Sequence, residues 1–359
     1  MMDEQKARDI LSGASSGVAA CAARWGLWLA SKPYAAGMRL RRWAYRRGVF
    51  GSRAAAVPVI CVGNLTTGGT GKTPMVAWVV ERLKQAGHSP AILTRGYKGV
   101  PGEAGSGGGS DEARLLEALT GVAVVVDADR LAGASRAVAG GADVLVMDDG
   151  FQHRRLRRDL DVVLVDAVEP FGFGHCLPRG LLREAPSALA DAGAVVLTHA
   201  DEAPPEIVEW LTEHLGSLAG GAPVHSAIHR PMGLIDESGS ARPLEELRGR
   251  RVYAFCGLAS PEHFFAALSR LGAHVTGRRA LADHAVYTPR ILAELADAAR
   301  DAEAKVLVTT QKDHVKLAGI DLPGCVWQLA MTIDVTGGAE ELTRQIVQAA
   351  GGAVSSPRT

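Results

Sequence analysis

The segment Thr66-Thr67-Gly68-Gly69-Thr70-Gly71-Lys72-Thr73 constrains this chain most, because it separates an apolar β-branched run from a run with helical periodicity. Clustered glycines allow a tight turn whose main-chain N–H groups point inward. The helix that follows adds partial positive charge at its N-terminus. Together they form a cradle for a polyphosphate, with Lys72 reaching the β/γ phosphates and Thr73 placed to hold Mg²⁺. The first glycine of G-x-x-x-x-G-K-[ST] is replaced by Thr66, but the glycine density, the Gly-Lys-Thr and the strand-to-helix setting preserve the reading. The nucleotide-binding set is therefore Thr66, Thr67, Gly68, Gly69, Thr70, Gly71, Lys72 and Thr73.

Short apolar runs alternate with helical segments from residue 57 onward, the pattern of βαβ units on a parallel sheet. Strands are expected at 57–62, 90–94, 122–126, 144–147, 162–165 and 194–197, and helices at 74–85 and 111–119, with a glycine-dense loop at 99–109. Residues 203–230 are less regular and 225–240 read as a connector. A second α/β pattern follows, with strands at 252–256 and 306–309, helices at 261–271 and 289–304, and a last helix at 338–350. The expected fold is α/β: a P-loop NTPase-like, mostly parallel sheet with helices on both faces, plus a second, smaller α/β domain. The division is 1–53 basic aromatic helices, 54–224 P-loop domain, 225–240 hinge, 241–335 smaller domain, and 336–359 a helix returning to the first domain with a frayed tail.

At 359 residues and 47% hydrophobic, the chain supports two cores and is too apolar for disorder. The 39 basic and 39 acidic side chains cancel, which argues against a nucleic-acid binder. Five scattered cysteines without a Cys-x-x-Cys pair indicate neither a disulfide framework nor a zinc site, and a reducing cytoplasm fits them. No run reaches the roughly 20 apolar residues of a spanning helix, and residues 1–29 make a poor secretory signal.

A P-loop needs a strand-end carboxylate for its metal. Val144-Leu145-Val146-Met147-Asp148-Asp149 supplies two, and either fits. A guanine reader of the Asn-Lys-x-Asp type is lacking: in Thr309-Thr310-Gln311-Lys312-Asp313-His314 the aspartate directly follows the lysine. Adenine is favoured.

Val62-Gly63-Asn64-Leu65-Thr66, Thr94-Arg95-Gly96-Tyr97, Asp148-Asp149-Gly150-Phe151-Gln152-His153, Leu177-Pro178-x-Gly180-x-Leu182-Arg183-Glu184, Ala282-Asp283-His284 and Thr310-x-Lys312-Asp313 occur in this order. Over residues 24–350 the chain thereby resembles the tetraacyldisaccharide 4′-kinases. That resemblance implies transfer of the γ-phosphoryl group of ATP to the 4′-hydroxyl of a tetraacyl glucosamine disaccharide 1-phosphate, the lipid A precursor, at the cytoplasmic face of the inner membrane. It also implies site roles. Asp111 matches the family's general base, although the glycine and proline that flank the base in the family are absent; an N-cap role for the same carboxylate coexists with this. Asp148 and Asp149 match the magnesium-side acids, Lys72 and His284 the nucleotide contacts, and Arg130, Arg183 and Glu184 the lipid-sugar side; Gln152 and His153, just beyond the acidic pair, are placed with them as sugar contacts, a basic turn at His153-Arg154-Arg155 being the alternative, and Glu112 joins the substrate set. The competing reading is a regulatory P-loop ATPase of the partitioning or metallochaperone type; those often carry a lysine where Thr67 stands.

Between Asp9 and Glu81 there is no acidic residue, whereas Arg24, Lys32, Arg39, Arg41, Arg42, Arg46, Arg47 and Arg53 lie there with Trp25, Trp28, Tyr34, Trp43, Tyr45 and Phe50. This is the makeup of an interfacial element on an anionic lipid surface. Two helices are expected, meeting at Pro33. No nucleic acid and no obligate protein partner are expected.

Overall fold

The computed structural model describes residues 2–96, 111–282, 285–317, 320 and 324–351. Tyr97, Asp283 and His284 lie outside them, as does the expected loop at 99–109. Two compact units divide the chain. The larger comprises residues 2–229 and 333–359, the smaller residues 230–332.

The larger unit begins with helices α1 (Met2–Ser12) and α2 (Val18–Arg46). There follow β1 (Val59–Asn64), α3 (Lys72–Gln85), β2 (Pro90–Thr94), α4 (Asp111–Thr120), β3 (Val124–Val126), α5 (Arg130–Ala139), β4 (Val144–Asp148), β5 (Leu160–Asp166), β6 (Ala194–Thr198), α6 (Pro205–Leu218) and β7 (Val224–Ile235). Its strands run in the order β7-β6-β5-β1-β4-β2-β3, and their pairings are parallel. Alternate side chains explain why this sheet takes helices on both faces. Ile60, Val62, Val146 and Val162 pack with Met75, Val79 and Leu83 of α3 and Leu116 of α4. Val59, Cys61, Leu145 and Met147 face the other way, against Ala134 and Ala137 of α5. On that same side Val163 and Leu197 pack against Leu211 and Leu215 of α6.

In the smaller unit a two-residue strand, β8 (Ala241–Arg242), pairs antiparallel with the end of β7. Then come β9 (Arg251–Cys256), α7 (Pro261–Arg270), β10 (His274–Ala280), α8 (Pro289–Asp301), β11 (Val306–Thr310), α9 (Gln311–His314) and β12 (Val326–Gly337), in sheet order β10-β9-β11-β12. Phe264, Phe265 and Leu268 of α7 cover one face with Trp327; Leu292 and Leu295 of α8 cover the other with Phe255 and Tyr287. After β12 comes α10 (Ala339–Ala349), whose Leu342 and Ile346 join the α3 side of the larger core.

The structure corrects several local expectations. α2 is one helix of 29 residues with Pro33 inside it. An interior proline removes a backbone hydrogen bond and costs about 3 kcal/mol. Contacts from Tyr34, Arg41 and Arg42 hold the later half against the unit and offset that cost. The expected connector after residue 225 is instead the strand β7, whose pairing Val195 with Val224 and Leu197 with Ser226 forms despite the polar His225, His229 and Arg230. The helices α5 and α6 and the strands β10 and β12 also lie outside the expected elements: α5, α6 and β10 carry an interior glycine, and Gln328, Thr332 and Asp334 interrupt the apolar run of β12. Among the described residues no helix is long and apolar enough to cross a membrane.

Candidate active site

The strand order places two strand ends side by side. β1 lies between β5 and β4, and Val62 is in register with Asp148, so the carboxylate at the end of β4 sits beside the strand that delivers the glycine loop. Crevices outside the carboxyl ends of strands at such a reversal of strand order are where open α/β sheets bind ligands.

The loop is held from both sides. Gly71, with φ of 80°, caps α3 and accepts from the Met75 N–H at 3.1 Å. A Cβ on Gly71 would lie 2.5 Å from His229 Nε2, so only glycine fits there. The Thr67 N–H donates to the Leu181 carbonyl and the Arg183 N–H to the Leu65 carbonyl, each at 2.7 Å. Asn64, fully buried at the end of β1, donates through Nδ2 to Thr70 Oγ1 at 2.9 Å and accepts from Lys72 Nζ at 3.3 Å. Lys72 is thus aimed before any ligand arrives. Thr73 is the second residue of α3, half-buried on the loop side of the helix start. Gly63 is glycine for a different reason: a Cβ would come within 2.7 Å of Phe151 Cβ, where the chain after the acidic pair crosses β1.

Asp148 and Asp149 are adjacent but unlike. Asp148 is 6% exposed and its Oδ1 has no hydrogen-bond partner. Burial first, then the Asp149 charge, pushes its carboxyl up to about 7. Burial also raises Asp149, but Lys72 at 3.6 Å and Arg183, whose Nη1 donates to both carboxylate oxygens at 2.9 Å, outweigh this and hold it below the ordinary range. A buried, unsatisfied carboxylate oxygen is a donor that suits a hard divalent cation such as Mg²⁺, and a helix-start hydroxyl is another. Asp111 and Glu112 form the first turn of α4, and Glu112 is close enough for its charge to help raise Asp148.

The remaining expected residues surround the pair. Arg130 opens α5 behind the Asp129 cap, is buried, and has an Nε without a partner. Gln152 Nε2 donates to the Asn64 carbonyl at 3.0 Å. His153 is depressed to about 4 by burial and by Arg130, Arg158 and Arg41, which keeps its imidazole neutral near pH 7. Its Nε2 is buried without a partner. Glu184, raised by burial, accepts from Arg154 at 3.2 Å, and its second oxygen is unpaired. Arg154 and Arg42 share Asp191, at 2.6 and 2.7 Å. His284 is outside the described residues. In the smaller unit Asp313 accepts from the Gly257 N–H at 2.9 Å and from Thr310 Oγ1 at 2.8 Å. Its carboxylate is wholly buried, an internal brace in that unit.

Sequence reasoning passed over Asn64, Tyr34, Arg41, Arg154 and His229. Asn64 had a signal, as a polar residue ending an apolar strand just before the loop. The others had none, since their partners lie far away in the chain.

A parallel sheet that offers a glycine loop, a preset lysine and a buried strand-end carboxylate at one edge is that of a P-loop nucleotide-dependent phosphotransferase. Residues 23–350 match the family described as tetraacyldisaccharide-1-P 4′-kinase, and the chain belongs to that family. It is 47% identical over 306 residues to the tetraacyldisaccharide 4′-kinase of Anaeromyxobacter dehalogenans (strain 2CP-C), covering 81% of this chain and 80% of that one. With the enzyme of the same name from Syntrophus aciditrophicus (strain SB) it shares 39% over 341 residues, covering 88% and 91%. The crystal structure of LpxK from Aquifex aeolicus in complex with ATP is similar at a TM-score of 0.71 and 29% identity, covering 91% of this chain and 99% of that one.

Proposed function

We infer that the site of the larger unit moves the γ-phosphoryl group of ATP to the 4′-hydroxyl of a tetraacyl glucosamine disaccharide 1-phosphate. Family membership makes the chain an ATP-dependent kinase of the lipid A precursor. The observation that carries the assignment to this site is the meeting of Lys72, Asp148 and Asp149 at the neighbouring ends of β1 and β4.

Each residue's part follows from its environment. Main-chain N–H groups of the 66–73 loop and the start of α3 receive the triphosphate, and Lys72, released from Asn64 and Asp149, neutralises its β/γ oxygens. Thr73 and Asp148 would hold Mg²⁺, which supplies charge neutralisation on the phosphates when bound. Asp148 would be the direct ligand, because its Oδ1 is open, whereas Asp149 is engaged by Lys72 and Arg183. Asp111, in the first turn of α4, accepts the proton of the sugar hydroxyl as its oxygen bonds to the γ-phosphorus and the bond from that phosphorus to the bridging oxygen of the departing ADP breaks. Neutral His153 and the amide of Gln152 suit sugar hydroxyls, and Arg130 and Arg183 suit the 1-phosphate, with Glu112 and Glu184 at the same side. His284 has the nucleotide-contact role that the family pattern implies.

The substrate's acyl chains belong in a bilayer, and α2 suits that surface. Its exposed apolar residues Trp25 (62%), Leu29 (61%), Leu40 (63%) and Trp43 (50%) recur at helical spacing, flanked by Lys32, Arg39 and Arg47. We assign it to peripheral docking on the anionic cytoplasmic face of the inner membrane, each basic residue there contributing about 1 kcal/mol. The test is transfer of labelled phosphate from ATP to a lipid A disaccharide precursor, measured beside ATP hydrolysis without acceptor. Labelled lipid is the expected product; hydrolysis alone, with unlabelled lipid, overturns the assignment.

A further inference from the structure

We propose that Tyr34 and Arg41, on the inward face of α2, are positioning residues for phosphoryl transfer, fixing the phosphate loop and its lysine to the docking helix. The proposal deepens the reading above and rests on it. Two routes of polar contact carry it. In the first, Arg41 Nη1 donates to the Gln152 carbonyl at 3.0 Å, and Gln152 Nε2 donates to the Asn64 carbonyl at 3.0 Å. Asn64 in turn holds Thr70 Oγ1 at 2.9 Å and Lys72 Nζ at 3.3 Å. In the second, the Tyr34 hydroxyl donates to the Arg183 carbonyl at 3.1 Å. The Arg183 guanidinium grips Asp149 at 2.9 Å, and Asp149 lies 3.6 Å from Lys72 Nζ. Both routes end on Lys72.

These contacts are not by-products of helix geometry. They join α2 to segments more than a hundred residues away, and their acceptors are main-chain carbonyls of the site itself. α2 turns polar Tyr34, Arg41 and Arg42 toward the protein beside Ala35 and Ala44, while Trp25, Leu29, Leu40 and Trp43 are turned outward. Attachment of the helix is already provided by the Arg42–Asp191–Arg154 cluster. Tyr34 and Arg41 add contacts to the two segments, 149–153 and 181–184, that flank the loop. Placement matters here, since misplacing reacting groups by about 1 Å costs on the order of a hundredfold in rate.

The experiment uses full-length protein with the disaccharide lipid in nonionic detergent micelles, where no anionic bilayer is present. Tyr34→Phe combined with Arg41→Met is expected to lower kcat about tenfold, with KM for the lipid and co-flotation with anionic vesicles unchanged. Arg41→Lys, which can still donate to the Gln152 carbonyl, is expected to recover most of the rate lost in Arg41→Met. If the double variant unfolds at a lower temperature, Tyr34→Phe alone decides, because it keeps the ring and removes only the hydroxyl. Unchanged kcat in micelles overturns the proposal, whether or not flotation falls. So does a loss confined to the lipid's KM. A wild-type protein that transfers no phosphate to the lipid sinks the functional reading instead, so the two failures are distinguishable.

Discussion

Asp148 and Asp149 share a backbone turn and differ in what surrounds them, and that contrast sorts the chemistry residue by residue. Asp148→Asn removes the carboxylate charge at the open buried oxygen, so transfer is expected to fall by at least about a hundredfold and to need more Mg²⁺, measured by titrating the metal against rate. Asp111→Asn is expected to lower kcat about 10²–10⁴-fold while ATP affinity, read by calorimetry, stays within a few-fold. Near-normal turnover in that variant removes Asp111 as the base. His153 gives a pH effect on stability. Its folded value of about 4 lies below the ordinary 6.5, so between these values the unfolded chain binds the extra proton. Stability contributed by the neutral ring is therefore present above pH 6.5 and lost as pH falls toward 4. Wild type should lose more thermal stability than His153→Gln between pH 7 and pH 5, and parallel losses would count against the shift.

At the scale of elements, the loop between β1 and α3 is shaped by what presses on it. Gly71→Ala meets both a positive φ and the His229 ring, so ATP affinity is expected to fall at least tenfold and the folded state to lose about 1–3 kcal/mol, checked by calorimetry and denaturant titration. Asn64→Leu keeps the branched shape of asparagine, adds bulk, and removes the groups that hold Thr70 Oγ1 and Lys72. The cost expected is about 1–3 kcal/mol, with nucleotide binding weakened more than overall stability. Helix α2 shows the same dependence on context. Its sequence alone predicts a break at Pro33, and its polar contacts to the larger unit keep it continuous.

For the molecule as a whole, docking and catalysis make separable demands on α2. Replacing Trp25, Leu29, Leu40 and Trp43 together by Ser leaves the inward contacts in place, and co-flotation with anionic vesicles is expected to drop severalfold while micellar kcat is retained. Retained flotation would overturn the interfacial reading. Much of this protein is legible before folding. The Thr66–Thr73 loop, Lys72, the Asp148–Asp149 pair and the first turn at Asp111 follow from strand–loop–helix grammar, because phosphate binding uses main-chain groups and helix ends that local sequence dictates. The buried strands β1, β2, β4, β5 and β6 announce themselves as continuous apolar runs. β7, β10 and β12 do not, since polar residues interrupt their apolar runs and only pairing with a neighbouring strand makes them strands. Nor does the sequence say that Asp148 keeps an open oxygen while Asp149 is paired, that Asn64 presets Lys72, or that Tyr34 and Arg41 turn inward. Those facts depend on partners brought together from separate elements, for Tyr34 and Arg41 across more than a hundred residues, and on how deeply each group is buried, quantities that exist only once the sheet has assembled.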